Sequence, residues 1–210
     1  MKREPSSISQ GLIGPAKAGS AESLGRLFEI YANYLKVLAA TRLDAKLRHR
    51  VSPSDVVQET FLEATRDFPQ FHGATQPELL AWLRKILVNN LARVIERHVL
   101  AGKRDVRREV SLQQLAASLE KSTLRLDAIL ADPGRSPSEL AASQDAAVLL
   151  ADELAQLPDD YRQVLILRNL EGLSFPEVAK QMNRSHGAVR MLWLRAIERL
   201  RSGLGAGETV

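Results

Sequence analysis

Apolar residues recur at helical spacing through nearly the whole chain, and this periodicity narrows the possible folds more than any other feature. Within residues 22–43, one face of a predicted helix carries Leu24, Leu27, Phe28, Tyr31, Leu35 and Leu38. Residues 79–100 form the most apolar segment and repeat the pattern. Alternation of apolar and polar residues between turn signals, which indicates strands, is absent. The sequence therefore predicts an all-α protein.

The periodicity stops between residues 130 and 140, where Pro133, Gly134 and Pro137 occur close together. Such a stretch is typical of a linker between domains. A chain of 210 residues, 45 % of them apolar, can form two small cores. We predict a flexible N-terminal extension (1–19), a helical domain (20–110), an acidic linker (111–145), a second helical domain (146–204) and a flexible tail (205–210).

Charge is distributed unevenly along the chain, although the net charge is only +4. Residues 84–108 hold eight Lys or Arg against two acids, and residues 184–201 hold five Arg against one. Residues 109–160 between them hold ten acids against three bases. Either basic stretch alone is equally well explained as a solvated surface. The two together favour two contacts with a polyanion, and nucleic acid is the expected partner.

Several classes of function are disfavoured by what the sequence lacks. It contains no cysteine, and its four histidines show no ligand-like pairing. No catalytic constellation or Walker-type phosphate loop is recognisable. We therefore expect no metal, no cofactor and no enzymatic activity. No apolar run reaches the ~20 residues that a membrane-spanning helix needs, so we expect a cytoplasmic chain without membrane insertion.

The segment SDVVQETFLEA (54–64) predicts an amphipathic helix with a capped start at Ser52 or Ser54. Its inward stripe should consist of Val57, Phe61, Ala64 and Phe68. The opposite face carries Asp55, Gln58, Glu59, Leu62 and Glu63. Solvation alone is the ordinary explanation for such a face, and the helix by itself does not decide between solvation and binding.

The last seventy residues predict a short capped helix, the turn NRS and a longer basic helix. Ser174 and Glu177 have the spacing of a capping box. This is the helix-turn-helix pattern, whose second helix enters the major groove. The predicted groove-facing residues are Ser185, His186, Gly187, Ala188 and Arg190, and Arg195 and Arg199 suit phosphates. The alternative is an ordinary helical hairpin with a solvated basic face.

Three segments together resemble a known family. Residues 157–201, LPDDYRQVLILRNLEGLSFPEVAKQMNRSHGAVRMLWLRAIERLR, are similar to region 4 of bacterial sigma factors of the extracytoplasmic-function (ECF) type, in the sigma-70 family. SDVVQETFLEA resembles region 2.2, and ELLAWLRKILVNNLARVIERH resembles regions 2.3 to 2.4. The matches span residues 20–204 in the order found in the family. One helix-turn-helix is weakly specific, whereas both halves together are highly specific.

The resemblance implies roles for individual residues. In this family the region 2.2 helix docks on the coiled coil of the polymerase β′ subunit, which would assign docking to Asp55, Gln58, Glu59 and Leu62. The loop at 70–78 and the following helix would open promoter DNA through His72, Trp82, Arg84, Lys85, Asn89, Arg97, Lys103 and Arg104. Trp82 either stacks on an unpaired base or packs internally. The family often has an acidic residue where this chain has Arg93, which leaves the base contacts open.

The implied protein is a sigma factor that binds core RNA polymerase through the β′ coiled coil and the β flap. It would recognise the minus-ten and minus-thirty-five promoter elements and aid DNA melting. When free it should be a monomer, and an anti-sigma factor is a further expected partner. Two alternatives remain: a helix-turn-helix regulator that works without polymerase, and an adaptor that binds only protein. The two basic segments disfavour the adaptor.

Overall fold

The structure, a computed structural model, describes residues 5–43, 47, 50–99, 106–130 and 140–205. These residues form nine α-helices and no β-strand, which confirms the all-α prediction. The helices are α1 (Pro5–Lys17), α2 (Ala21–Ala40), α3 (Pro53–Asp67), α4 (Gln76–Val99), α5 (Val106–Leu130), α6 (Leu140–Gln156), α7 (Asp159–Leu165), α8 (Phe175–Met182) and α9 (His186–Gly205). A 3₁₀ turn (Phe68–Gln70) follows α3, and a π-helical turn (Ile166–Leu170) follows α7.

The chain divides into two compact units, and the division along the sequence falls between Lys121 and Ser122. We call residues 3–121 the N-terminal unit and residues 122–210 the C-terminal unit. The boundary lies within α5, inside the segment expected to be a linker. Helix α5 contributes buried side chains on both sides of it, among them Leu119 and Leu126. Pro133, Gly134 and Pro137, which motivated the linker prediction, lie outside the described residues.

The core of the N-terminal unit forms where α2, α3 and α4 pack against one another. Leucines of α2 and α4 supply most of it, and the fully buried ones are Leu27, Leu35, Leu38, Leu79, Leu80, Leu83, Leu87 and Leu91. Val57, Ala64 and Phe68 of the predicted stripe are buried, whereas Phe61 is half-buried and stacks on Phe28 with ring centroids 4.5 Å apart. Thr60 is also buried, and its hydroxyl is satisfied there by donating to the carbonyl of Val56.

The N-terminal segment differs from the flexible extension that the sequence predicted. Residues 5–17 form α1, which packs on α2 and α4. Ser9, Ile13 and Ala16 recur at helical spacing and are buried. Gly11, Gly14 and Pro15 conceal this stripe in the sequence, since all three residue types disfavour a helix interior.

The C-terminal unit packs α9 against α6, α7 and α8. Its core includes Leu154, Val164, Leu167, Val178, Val189, Ala196 and Leu200. Gly172 follows the π-helical turn with φ at +77°, a conformation that favours glycine. Beside it the Arg125 guanidinium donates to the carbonyl of Leu170 at 3.0 Å. This framework presents α8 and α9 as a helix-turn-helix.

Candidate nucleic-acid and protein interfaces

Helix α3 begins with a capping box that involves one of the predicted docking residues. The Asp55 N–H donates to the Ser52 hydroxyl at 3.1 Å, and the Ser52 N–H donates to the Asp55 carboxylate at 2.9 Å. The hydrogen bond from the Ser52 backbone lowers the pKa of the Asp55 carboxyl, with a further contribution from the Ser52 hydroxyl. Asp55 therefore stabilises the helix start as well as giving that end a negative charge.

The other predicted docking residues of α3 are exposed on the same helix face. Gln58, Glu59 and Leu62 follow Asp55 at positions i+3, i+4 and i+7. Leu62 is 68 % exposed, which is unusual for a leucine in a helix whose opposite side is buried. A shallow cleft between α3 and α4 lies beside this face and is lined by Val51, Asp55, Val56, Glu59, Asn90, Val94 and Arg97. Arg97, predicted to contact DNA, is exposed at this cleft.

A polar network joins α3 to α4 behind the docking face. The Arg93 guanidinium donates to both oxygens of Glu63, each at 3.0 Å, and to Asn90 Oδ1 at 3.1 Å. Asn90 is buried and donates to the Thr60 hydroxyl at 3.4 Å. The Glu63 carboxylate on α3 therefore balances the charge of Arg93 on α4. The pair is not apparent from the sequence, because its members are thirty residues apart.

The loop before α4 is built on an aromatic cluster. Phe71 and Trp82 lie with ring centroids 5.0 Å apart, and Phe68 packs on both, at 5.6 Å from Phe71 and 5.9 Å from Trp82. Trp82 is half-buried, so internal packing already uses part of its ring. His72 in the loop is exposed.

The remaining predicted DNA contacts of the N-terminal unit differ in how exposed their side chains are. Lys85 is exposed on α4, and Asn89 is half-buried one turn further along. Arg84 is half-buried because its guanidinium donates to the Tyr34 hydroxyl at 3.2 Å. Lys103 and Arg104 lie outside the described residues.

Helix α8 and the turn to α9 have the local geometry that the sequence predicted. Ser174 and Glu177 form a capping box, in which the Ser174 N–H donates to Glu177 Oε2 at 2.7 Å. Asn183 ends α8 in the left-handed region with φ at 51°, a conformation that asparagine tolerates well. The Ala188 N–H donates to the Ser185 hydroxyl at 3.2 Å, which caps the start of α9.

The first turn of α9 is exposed and has small residues at its centre. Ser185, His186, Gly187, Ala188 and Arg190 are all exposed, as are Arg195 and Arg199. The rings of His186 and Phe175 meet edge-on at 6.2 Å, and the Arg190 guanidinium lies 5.9 Å from the same ring. Arg168, which was not predicted as a site residue, lies 4.8 Å above Phe175. Two arginines and a histidine therefore lie around Phe175 at one end of the helix pair.

Two further residues of the outward face were missed by the sequence analysis. Met191 and Leu194 are each 51 % exposed on α9, beside Arg190 and Arg195. The inward side of α9 is formed by Val189, Ala196 and Leu200, and by half-buried Trp193. The Trp193 indole donates to Asn169 at 2.9 Å and packs edge-on to Phe175. A helical projection that placed Met191 and Leu194 opposite this core would have found them.

Comparison with known proteins identifies the family. A sequence model described as "Sigma-70, region 4" matches residues 147–200, which cover most of α6 and continue into α9. The ECF RNA polymerase sigma-E factor of Escherichia coli is 30 % identical over 158 residues, which are 73 % of this chain and 76 % of that protein. The chain belongs to the ECF family of RNA polymerase sigma factors.

Three further proteins are similar to this chain over most of its length. The sigma-E factor of Haemophilus influenzae is 26 % identical over 90 % of this chain and 91 % of its own length. A probable RNA polymerase sigma factor, RfaY of Xanthomonas campestris, is 31 % identical over 90 % of this chain, but the match spans only 42 % of RfaY. The solved structure of CnrH in complex with the cytosolic domain of CnrY aligns over 95 % of this chain and 98 % of its own, with 22 % identity and a TM-score of 0.35.

Within the part of the ECF chain that the structure describes, no helix is long and apolar enough to cross a membrane. Among the same residues, no three His, Asp or Glu side chains lie close enough together to hold a metal ion.

Proposed function

We propose that the chain binds core RNA polymerase, directs it to specific promoters and helps to open the DNA at transcription initiation. The observation that carries this proposal is the helix-turn-helix of α8 and α9, which lies within the segment matching sigma-70 region 4 and exposes Arg190, Arg195 and Arg199. In the proposed mechanism α9 reads the minus-thirty-five element. The loop before α4, together with α4, acts on the minus-ten element.

The docking surface consists of Asp55, Gln58, Glu59 and Leu62 on α3. Support comes from its exposure and composition: two acidic side chains and an amide share the face with one exposed leucine. An apolar anchor inside a charged rim is a common arrangement at protein interfaces. The proposed partner is the basic coiled coil of the β′ subunit, to which the carboxylates supply electrostatic complementarity.

The upstream reading surface combines three kinds of contact. Gly187 and Ala188 let the helix start approach the base edges closely, since neither has a side chain that would meet the groove floor. Arg190 can donate two hydrogen bonds to a guanine, and the apolar Met191 and Leu194 suit the methyl groups of thymine. Arg195 and Arg199 would bind phosphates. His186 and Ser185 are the remaining proposed contacts at the helix start.

The downstream surface comprises His72, Lys85 and Asn89, with Trp82, Arg84 and Arg97 nearby in the sequence and Lys103 and Arg104 further along. Positive charge beside aromatic rings is the usual combination in single-strand binding, and exposed Lys85 lies on α4 about one turn from Trp82. The stacking role proposed for Trp82 is limited to the part of its ring that Phe68 and Phe71 leave uncovered. Further proposed partners are the β flap and an anti-sigma factor, and we propose a monomer when the chain is free.

Adding polymerase to the purified chain distinguishes this function from a regulator that works alone. The chain alone should bind a randomised duplex library weakly and almost without sequence preference, with Kd on the order of 10⁻⁴–10⁻⁶ M at physiological salt. Adding bacterial core polymerase should select a defined two-part sequence and start transcription at a fixed position. Nanomolar, sequence-specific binding by the chain without polymerase would instead establish the regulator.

A further inference from the structure

The loop at residues 71–75, which we call the opening loop, is held by side chains of α1. The Lys17 ammonium donates to the carbonyl of His72 at 3.3 Å and to the carbonyl of Gly73 at 3.2 Å. The Gln10 amide donates to the carbonyl of Ala74 at 2.8 Å. Lys17 and Gln10 are seven residues apart and therefore lie on the same face of α1, two turns from one another. Three consecutive carbonyls of the loop are thus bound by one helix.

The end of the opening loop that leads into α4 is fixed as well. Glu78 Oε2 accepts hydrogen bonds from the backbone N–H groups of Ala74 and Thr75, each at 2.9 Å, and from the Thr75 hydroxyl at 2.7 Å. Gly73 lies so close to Phe71 that a Cβ there would come within 2.4 Å of Cζ of its ring. A side chain at position 73 would therefore force the Phe71 ring to move.

Helix α1 is itself anchored, because Ile13 and Ala16 are buried and α1 packs on α2 and α4. Lys17 also lies near the carboxylate of Glu78. The hydrogen bond from the Thr75 hydroxyl lowers the pKa of Glu78 most, the two backbone N–H groups lower it further, and the charge of Lys17 adds to the effect. A cation at this position stabilises both the loop carbonyls and the carboxylate that caps α4.

We propose that Lys17 and Gln10 are positioning residues for promoter opening, because they hold the opening loop in the shape that receives single-stranded DNA. This inference rests on the function proposed above, in which the loop contacts the minus-ten element. A loop that is ordered before DNA arrives loses no further conformational entropy on binding, whereas a free loop must be ordered at that step. Loss of the contacts to α1 should therefore slow opening without weakening the preceding steps.

The experiment uses the full chain reconstituted with bacterial core polymerase, on a duplex promoter selected from a random library by the unaltered holoenzyme. Opening is followed by the fluorescence of 2-aminopurine in the minus-ten element. Lys17→Met and Gln10→Leu should each open the duplex several-fold more slowly, and the double variant roughly tenfold, the scale expected for losing one or two hydrogen bonds. Their affinity for core polymerase should be unchanged, and a template with a pre-opened bubble should restore normal transcription.

Matched variants separate positioning from other roles of the same side chains. Lys17→Arg keeps the donors and should retain most of the opening rate. Arg26→Met removes an exposed cation from α2 and should behave like the unaltered chain. Amide hydrogen exchange should accelerate in residues 72–75 of both Lys17→Met and Gln10→Leu, while the melting temperature changes by only a few degrees.

Normal opening by both Lys17→Met and Gln10→Leu would overturn the inference and leave the proposed function intact. A defect limited to Lys17→Met, with a smaller salt dependence of DNA binding, would also overturn it, since Lys17 would then be a phosphate contact. Failure of the unaltered holoenzyme to transcribe any selected duplex would instead remove the proposed function.

Discussion

Leu62 offers the sharpest test of the docking surface, because its exposure in the free chain sets how much burial a partner can add. Full burial of a leucine side chain contributes about 1.5–3 kcal/mol. Leu62 is 68 % exposed, so contact with a partner can recover roughly two thirds of that, or about 1–2 kcal/mol. Leu62→Ala should therefore weaken binding to core polymerase by about 5- to 30-fold.

The assay is a titration of fluorescently labelled chain with core polymerase, accompanied by thermal unfolding of each variant. Leu124→Ala is the matched control, because Leu124 is 59 % exposed but lies outside the proposed surface. Leu62→Ala should unfold at nearly the same temperature as the unaltered chain, since alanine suits a helix at least as well as leucine. Equal affinities for the two alanine variants would show that this face of α3 is only solvated. A large loss of stability in Leu62→Ala would refute the reasoning from exposure.

Three further predictions concern the groove, the α3–α4 network and acid stability. Replacing thymine by uracil in the upstream element removes only methyl groups. This change should weaken promoter binding of the unaltered holoenzyme but should affect the Leu194→Ala holoenzyme much less. Arg199→Ala should instead weaken binding to all sequences alike and reduce the salt dependence of binding. Arg190→Ala should cost about 1–3 kcal/mol and relax preference at one base pair. Glu63→Gln and Arg93→Met should each lower the melting temperature, and the double variant should lower it by less than the sum; strict additivity in this cycle would show that the pair contributes nothing. Hydrogen bonds lower the folded-state pKa of Glu177, chiefly the one from the Ser174 hydroxyl, so its contribution to stability is present above the unfolded pKa and is lost as pH falls below about 4. Glu177→Gln should therefore show a smaller drop in melting temperature between pH 5 and pH 3 than the unaltered chain, and an identical drop would contradict the assignment.

The sequence predicted those features that depend on residues three or four positions apart. The capping box of Ser174 and Glu177 and the cap at Ser52 are both present in the structure, and each could be recognised because helix starts are stabilised by nearby side chains. Helix α1 was missed for a local reason as well. Two glycines and a proline outweighed its short buried stripe in the sequence, whereas packing on α2 and α4 stabilises the helix in the folded chain.

Contacts between distant parts of the chain could not be predicted in the same way. Lys17 and the His72 carbonyl are 55 residues apart, and Glu63 and Arg93 are thirty apart. Which residues meet depends on how α1, α3 and α4 pack, and many alternative pairings satisfy the same helical periodicity. The sequence alone therefore does not show that Glu63 pairs with Arg93. The same holds for the candidate site generally: the sequence shows which residue types the site contains, but not which residues they contact.

The exposed apolar side chains of this molecule fit the proposal that its two units serve a single function. Leu62 in the N-terminal unit and Leu194 in the C-terminal unit are each exposed near charged residues, on a surface proposed to bind a partner. Neither surface alone is large, and its phosphate or carboxylate contacts are weakened at physiological salt. Weak surfaces on one chain become selective only when a first contact holds the second at high effective concentration. Docking on polymerase through α3 would supply that first contact, so the affinity of α9 for DNA can remain low in the free chain. A variant chain whose α9 bound DNA tightly without polymerase would consequently reduce transcription, because the free chain would occupy promoters without bringing polymerase to them.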